Sequence, residues 1–171
     1  MDLKPPNYKF CPFCAAELLQ KVVDGKNRKY CPKDNWTYFP HVAGSCSAIV
    51  IDRGKVLMVK RNIEPHKGTW MFPSGFINYG EHPKETALRE LHEETGLEAK
   101  NAELLDILQA DDSREPGHFL FIYKIIGFSG ELKNQEDENT EVTWVNINSQ
   151  PTIGWQTHQQ VFSKLNTFSP S

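Results

Sequence analysis

An α+β fold is predicted by three features of this chain. Short apolar runs of strand-like character recur on both sides of its centre. Between them a polar stretch repeats at helical spacing, opened by Pro83 and closed by Gly96. Near the end, residues 157–165 again carry apolar side chains at helical spacing. A β-rich order with one helix in the middle and one at the end is that of an α+β domain.

Taken in order, residues 1–40 differ from the rest. They hold three of the four cysteines, several prolines and few runs able to build a core. We expect a small separate segment there and the main domain over 41–171. Residues 46–51 read as a strand, Asp52-Arg53-Gly54 as a tight turn, and 55–61 as its hairpin partner. A loop with Pro65 and Gly68 leads to the central helix, where Pro83 suits the first turn and Gly96 the position past the end. Residues 104–110 and 119–127 read as strands joined by an irregular polar loop over 111–117. Residues 130–139 form a charged loop, 141–147 alternate as a strand, and the helix over 157–165 packs across the sheet.

Composition narrows the class of protein. The chain has 171 residues, room for one domain with a small appendage. Its 39% hydrophobic and 24% charged content is that of an ordinary globular chain. A net charge of −3 and a pI near 6.1 carry no basic footprint, which argues against nucleic acid as the main partner. No run approaches the ~18 apolar residues of a membrane span, and the start lacks the apolar core of a signal peptide, so no membrane partner and a cytoplasmic location are expected. Four cysteines in that setting point to thiols or metal ligands rather than disulfides.

The chemistry is concentrated between Gly75 and Leu97, which read Gly75-x5-Glu81-x7-Arg89-Glu90-Leu91-x-Glu93-Glu94-x-Gly96-Leu97. Glu90, Glu93 and Glu94 stand at i, i+3 and i+4, so on a helix they share one face. Three like charges there repel, and a hard divalent cation with oxygen ligands relieves the repulsion. Ala87, Leu88 and Leu91 fall on a neighbouring stripe that can pack on a sheet. Arg89 lies one turn from both Glu85 and Glu93 and can pair with either. The alternative is a solvated charged face, which would need the two glycines, the arginine and the spacing to coincide by accident.

This segment resembles the Nudix box, G-x5-E-x7-R-E-U-x-E-E-x-G-U with U a bulky aliphatic, and every defined position matches. The flanking Trp70-Met71-Phe72-Pro73-Ser74-Gly75 is similar to the family's approach to the box. The resemblance implies an α/β/α sandwich and a Mg²⁺- or Mn²⁺-dependent hydrolase acting on a nucleoside diphosphate linked to another group. It implies Glu90 and Glu94 as the main helix ligands, with Glu93 bridging a second metal or helping to deprotonate water. The backbone carbonyl of Ser74 would be a further ligand, presented by a sharp turn at Gly75. Glu81 would organise the helix start from outside the ligand set. Relatives add a carboxylate six residues before a tryptophan. Glu138 stands so to Trp144, with Glu141 as the alternative. The general base is left between Glu90 and Glu93, with Arg89 organising the catalytic group.

A nucleotide base needs a stacking surface, and Trp36, Tyr38, Phe72 and Phe76 are available. Lys60 and Arg61 either face the phosphates or lie along a strand end. Phe76 and Arg61 are the substrate-binding residues taken forward.

At the N-terminus, Cys11-Pro12-Phe13-Cys14 and Cys31-Pro32-Lys33-Asp34 form two knuckles sixteen residues apart. Two C-x2-C knuckles at that separation would mark a zinc ribbon, and here Asp34 takes the last place. A structural Zn²⁺ on Cys11, Cys14, Cys31 and Asp34 is the expectation, with His41 as another fourth ligand. The alternative is a metal-free ribbon kept in shape by Phe10, Tyr30, Trp36 and Tyr38. Cys46 reads as a buried small hydrophobe. The layout is similar to a Nudix subgroup with an N-terminal zinc ribbon that includes NADH, ADP-ribose and FAD pyrophosphatases. NADH pyrophosphatases usually carry S-Q-P-W-P-F-P-x-S after the box, and residues 107–113 here hold nothing like it. Further alternatives are a housecleaning nucleoside triphosphatase and a non-enzymatic ligand sensor, although sensors usually lose box carboxylates and this chain keeps all four. Related ADP-ribose hydrolases are often dimers, so a homodimer follows from the resemblance and not from the residues.

Overall fold

The computed structural model describes residues 5–109 and 117–168. Near the N-terminus, β1 (Leu19–Val23), β2 (Lys26–Cys31) and β3 (Trp36–Thr37) form a small antiparallel sheet in that order. The β1–β2 hairpin turns on Asp24 and Gly25, both at positive φ (50° and 71°), as a two-residue type I′ loop requires. Sequence reading found no strands here, because runs such as Lys26–Cys31 alternate around charged rather than apolar side chains.

Two further sheets carry the rest. The first has the order β8 (Ser74–Phe76), β4 (Ala43–Ile49), β10 (His118–Ser129), β9 (Glu98–Gln109). Within it β4 and β10 run parallel and the other pairs antiparallel. The second is built on β6 (Lys55–Arg61), flanked by β11 (Asn139–Asn146) on one side. On its other side lie β5 (Ile51–Asp52) and β7 (Trp70–Met71). The predicted hairpin is present: Arg53 and Gly54 sit at φ 45° and 73° between paired Asp52 and Lys55. The predicted single strand over 46–51 is divided at Val50 between the two sheets.

The helices are α1 (Pro83–Thr95), α2 (Gln156–Ser163) and the short α3 (Leu165–Phe168). Alternation along the strands sends side chains to opposite faces. Cys46, Ala48, Val50, Leu57, Tyr123 and Ile125 pack with Ala87 and Leu91 of α1. Ile49, Val56, Met58, Leu120 and Ile122 pack with Phe72, Val161 and Leu165 beneath the C-terminal helices. Two apolar cores with helices outside them make the expected α/β/α sandwich.

Strand β9 begins at Glu98, six residues before the predicted start. Its alternation is broken by a register shift opposite Ile122 and Tyr123. As a result Leu108 and Ala102, both even-numbered, pack into opposite cores. No constant period runs through the segment, so residues 98–103 carry no strand pattern a sequence reading can use. β8 was also missed, being three residues long. Residues 110–116, which include most of the predicted polar loop and the end of the predicted strand, lie outside the described residues. Asn139, placed in the charged loop from sequence, opens β11 and is 1% exposed.

Candidate metal and hydrolase site

Helix α1 starts as its sequence prescribes. Pro83 occupies the first turn, the His82 imidazole accepts from the Lys84 N–H (3.1 Å), and the Glu85 carboxylate accepts from the His82 N–H (3.3 Å). Gly96 ends the helix in the left-handed conformation, φ 73°, donating to the His92 carbonyl at 2.8 Å. Glu85 is therefore spent on the cap, and Arg89 turns elsewhere.

Arg89 is a hub for the box. Its Nε and Nη2 grip Glu81 at 2.8 and 3.1 Å, a two-point fork only a guanidinium can make. Nη1 donates to Glu90 (2.6 Å) and Glu93 (2.8 Å), and Nη2 also donates to the Phe76 carbonyl at 3.2 Å. Pairing with Arg89 holds the Glu81 carboxyl down at about 2. Glu81 additionally accepts from the Asn78 N–H at 3.1 Å, closing the loop before the helix.

Glu94 faces inward and is 3% exposed. One oxygen accepts from the Ser74 backbone N–H at 2.9 Å. Burial pushes its carboxyl up to about 8, the Ser74 bond opposes this, and the negative charges of Glu90 and Glu138 add to it. Burial likewise raises Glu90, against the pull of Arg89. The Asn139 side chain favours the charged form of Glu94, although its amide nitrogen reaches no partner at full hydrogen-bond geometry among the described residues. Glu90 and Glu94, carboxylates that burial disfavours in their charged form, are hard oxygen donors, and a divalent cation beside them would relieve that cost.

Gly75 does not make a sharp turn. It lies inside β8, outside the positive-φ glycines, paired with Cys46. Its requirement is space: a Cβ there would stand 2.0 Å from Glu90 Oε1. The missing side chain lets the carboxylate rest against the strand.

The other predicted residues divide. Glu138 is an exposed turn residue whose carbonyl accepts from the Asn62 N–H at 2.8 Å, and its charge is felt at Glu90, Glu94 and Arg61. Glu141 lies three residues on, within β11 and opposite Lys60. Arg61 ends β6, donating to the Pro65 carbonyl at 2.8 Å with its guanidinium 5.9 Å from the Trp155 ring. Burial lowers Arg61, and Glu94 and Glu138 support its charge. Phe76 is 46% exposed with its ring 5.6 Å from His118, and is open to a planar ligand. Phe72 is fully buried in the second core and cannot stack on a base. Trp36 and Tyr38 pack with each other and with Tyr8 in the N-terminal sheet. Lys60 lies over the Trp70 ring at 5.5 Å.

Cys11, Cys14, Cys31 and Asp34 converge, their ligand atoms all within 4.8 Å of one another, the sole group of that closeness among the described residues. Asp34, not His41, is the fourth member. Asp34 Oδ2 lies 3.2 Å from Cys11 Sγ and 3.6 Å from Cys31 Sγ, and the Asp34 N–H points at Cys31 Sγ. Hydrogen bonds from Cys14 and Cys11 keep the Asp34 carboxyl low, while Asp34 pushes the Cys14 thiol up to about 12. Cys46 is fully buried, as expected, and burial pushes its thiol up to about 12. The carboxylates of α1 are more widely spread than this cluster, Glu90 and Glu93 being drawn to Arg89.

Sequence reading missed Ser47, Asn139 and His158, all buried and polar. His158 is 111 residues from Ser47 and within 3.3 Å of it, so no local pattern links them.

Residues 41–165 match the NUDIX domain. An ADP-ribose pyrophosphatase of Methanocaldococcus jannaschii is 34% identical over 150 residues, covering 86% of each chain. The NAD-capped RNA hydrolase NudC of Pseudomonas aeruginosa is 23% identical over 145 residues, and this chain spans 50% of its length. Among solved structures, a NUDIX hydrolase from Nitrosomonas europaea is similar at a TM-score of 0.72 and 24% identity, covering 96% of both chains. The NUDIX domain of Shewanella oneidensis NrtR, solved with ADP-ribose, is similar at 0.65 and 23%, covering 81% of this chain and 93% of that one. With a box complete at every defined position and the fold that carries it, this chain belongs to the Nudix family.

Proposed function

We propose that the protein is a Mg²⁺- or Mn²⁺-dependent pyrophosphohydrolase that cleaves a nucleoside diphosphate derivative of the ADP-ribose type into two monophosphates. The observation that carries this reading is the set of Glu90, Glu93 and Glu94 on one helix, the first two held by Arg89 and the third by the Ser74 N–H. The relative named for ADP-ribose, similar along most of both chains, supports that substrate over FAD.

The cation would be held by Glu90, Glu94 and the Ser74 carbonyl, with Glu93 and Glu138 as further ligands, and supplies charge neutralisation at the phosphates and a more acidic water. The residues do the rest. Arg89 fixes the Glu90 and Glu93 oxygens so that one of them can take the proton of the attacking water. Water adds to phosphorus as the bridging oxygen leaves, so each product carries one phosphate. Arg61, at the rim beside Glu138, meets the negative phosphates, and Phe76 offers a face to the base.

A second reading, cleavage of NAD(P)H-type dinucleotides, is supported by relatives named NudC and human NAD(P)H pyrophosphatase NUDT13. The chain spans 50% and 42% of those two proteins, respectively. A screen of ADP-ribose, NADH, FAD, NAD-capped RNA and nucleoside triphosphates with Mg²⁺ or Mn²⁺, products identified, separates the readings. Cleavage of none would favour a ligand sensor.

We further propose a division near residue 40 into a ribbon and a catalytic domain, with Zn²⁺ on Cys11, Cys14, Cys31 and Asp34. Thiolates with one carboxylate at these separations suit zinc. A homodimer in the cytoplasm completes the reading, tested by light scattering and by fractionation. No helix among the described residues is long and apolar enough to cross a membrane.

A further inference from the structure

His158 lies on α2, on the opposite side of the sheets from α1, yet it is bonded into the wall of the site. The Phe72 N–H donates to His158 Nδ1 at 3.1 Å. Nδ1 is thus an acceptor, which puts the ring proton on Nε2, 3.3 Å from Ser47 Oγ. Ser47 Oγ is 2.5 Å from Ser74 Oγ, and Ser74 Oγ donates to the Phe72 carbonyl at 2.7 Å. Since the Ser74 proton is used there, Ser47 donates to Ser74, and every donor has one acceptor. The bonds close a ring: Phe72 N–H to His158, His158 to Ser47, Ser47 to Ser74, and Ser74 back to Phe72.

Three features make this ring more than core packing. His158 is 3% and Ser47 0% exposed, so neither has water as a substitute partner. The His158 ring also stacks on Phe72, 5.4 Å between centroids at 25°. The segment held is 72–74, whose last residue donates its N–H to Glu94 at 2.9 Å and carries the carbonyl that faces the site in the proposed reading. The segment is pinned in its middle as well, where the Ala48 N–H donates to the Pro73 carbonyl at 2.9 Å.

We propose that His158, acting through Ser47, is a positioning residue for the divalent-cation site: it fixes the orientation of Ser74 and thereby of Glu94. The inference rests on the metal-site reading above. α2 then serves the reaction without touching substrate, and its loss of register would loosen the site from behind.

Mn²⁺ binding followed by electron paramagnetic resonance, without substrate, tests this directly. His158→Phe keeps the ring on Phe72 and removes both hydrogen bonds, and Ser47→Ala removes only the middle link. Each should weaken Mn²⁺ binding about 10-fold, the scale of losing a group that orients a ligand, and lower kcat more than it raises KM. The double variant should be no worse than the poorer single one. Ser47→Ala stands in if His158→Phe fails to fold. Variants that melt earlier but bind Mn²⁺ like wild type would overturn the proposal and leave the metal site intact. Wild-type protein that binds no Mn²⁺, or a Glu94→Gln variant that binds it as tightly as wild type, would overturn the metal-site reading beneath it.

Discussion

Gly75 lies directly under the Glu90 carboxylate, so close that a Cβ would stand 2.0 Å from Oε1 and 2.4 Å from Oε2. Geometry requires the glycine, since strand and helix could not otherwise approach so closely. Gly75→Ala should push Glu90 off its position by more than an ångström and lower kcat about 100-fold. Far-ultraviolet circular dichroism should stay unchanged. Near-normal turnover would show that Glu90 tolerates displacement.

Burial disfavours the ionised form of Glu94 and pushes its carboxyl up to about 8. Glu94→Gln keeps an oxygen for the Ser74 N–H and removes the charge. It should lose turnover by orders of magnitude while melting no lower than metal-free wild type, measured by kinetics and calorimetry at one pH. A variant with ordinary activity would sink the ligand assignment.

The guanidinium of Arg89 reaches Glu81, Glu90, Glu93 and the Phe76 carbonyl together. Lysine offers a single point of charge and cannot reproduce the fork. Arg89→Lys should therefore cost about 10- to 100-fold in kcat. Its effect should be strongly non-additive with Glu81→Gln, as a double-mutant cycle of kcat would record.

Burial holds His158 neutral, lowering it from 6.5 to about 3. A depressed folded value means that the unfolded chain takes up the proton first. This contribution to stability is present above about 6.5 and is lost as pH falls toward about 3. Wild-type protein should lose more stability over that window than His158→Phe, which has nothing to protonate. Parallel urea midpoints at several pH values would check it, and parallel curves would refute it.

The purified protein should carry one Zn²⁺ per chain by elemental analysis, lost on Cys14→Ser. Asp34→Cys should hold the metal more tightly against a chelator, since a thiolate is the softer ligand. Chelation should unfold the ribbon sheet, whose described strands offer few buried apolar side chains, and leave the box helix in place.

How much of this was legible in the chain follows from the range of each interaction. The box helix was readable to its ends because Pro83, Gly96 and the carboxylate spacing act within a few residues. The hairpin at Arg53 and Gly54 was readable for the same reason. The strand at 104–109 was readable, but the first six residues of β9 were not, since its bulge changes which face its side chains take. β8 was not, since three residues show no period. Phe72 looked like a stacking surface beside the box until the C-terminal helices were seen to cover it.

The sequence alone determined the family and the carboxylates that bear the chemistry, because those residues lie on one helix at fixed spacing. It also marked Cys11, Cys14, Cys31 and Asp34, where two short knuckles are enough. Only the tertiary structure decided that Arg89 takes Glu81 rather than Glu85, that Gly75 is needed for room, and that His158 and Ser47 stand behind Ser74. The first two join positions whose spacing the box shows without showing which atoms meet, and the last joins residues 111 apart that packing alone brings together, a contact that leaves no period or spacing in the chain.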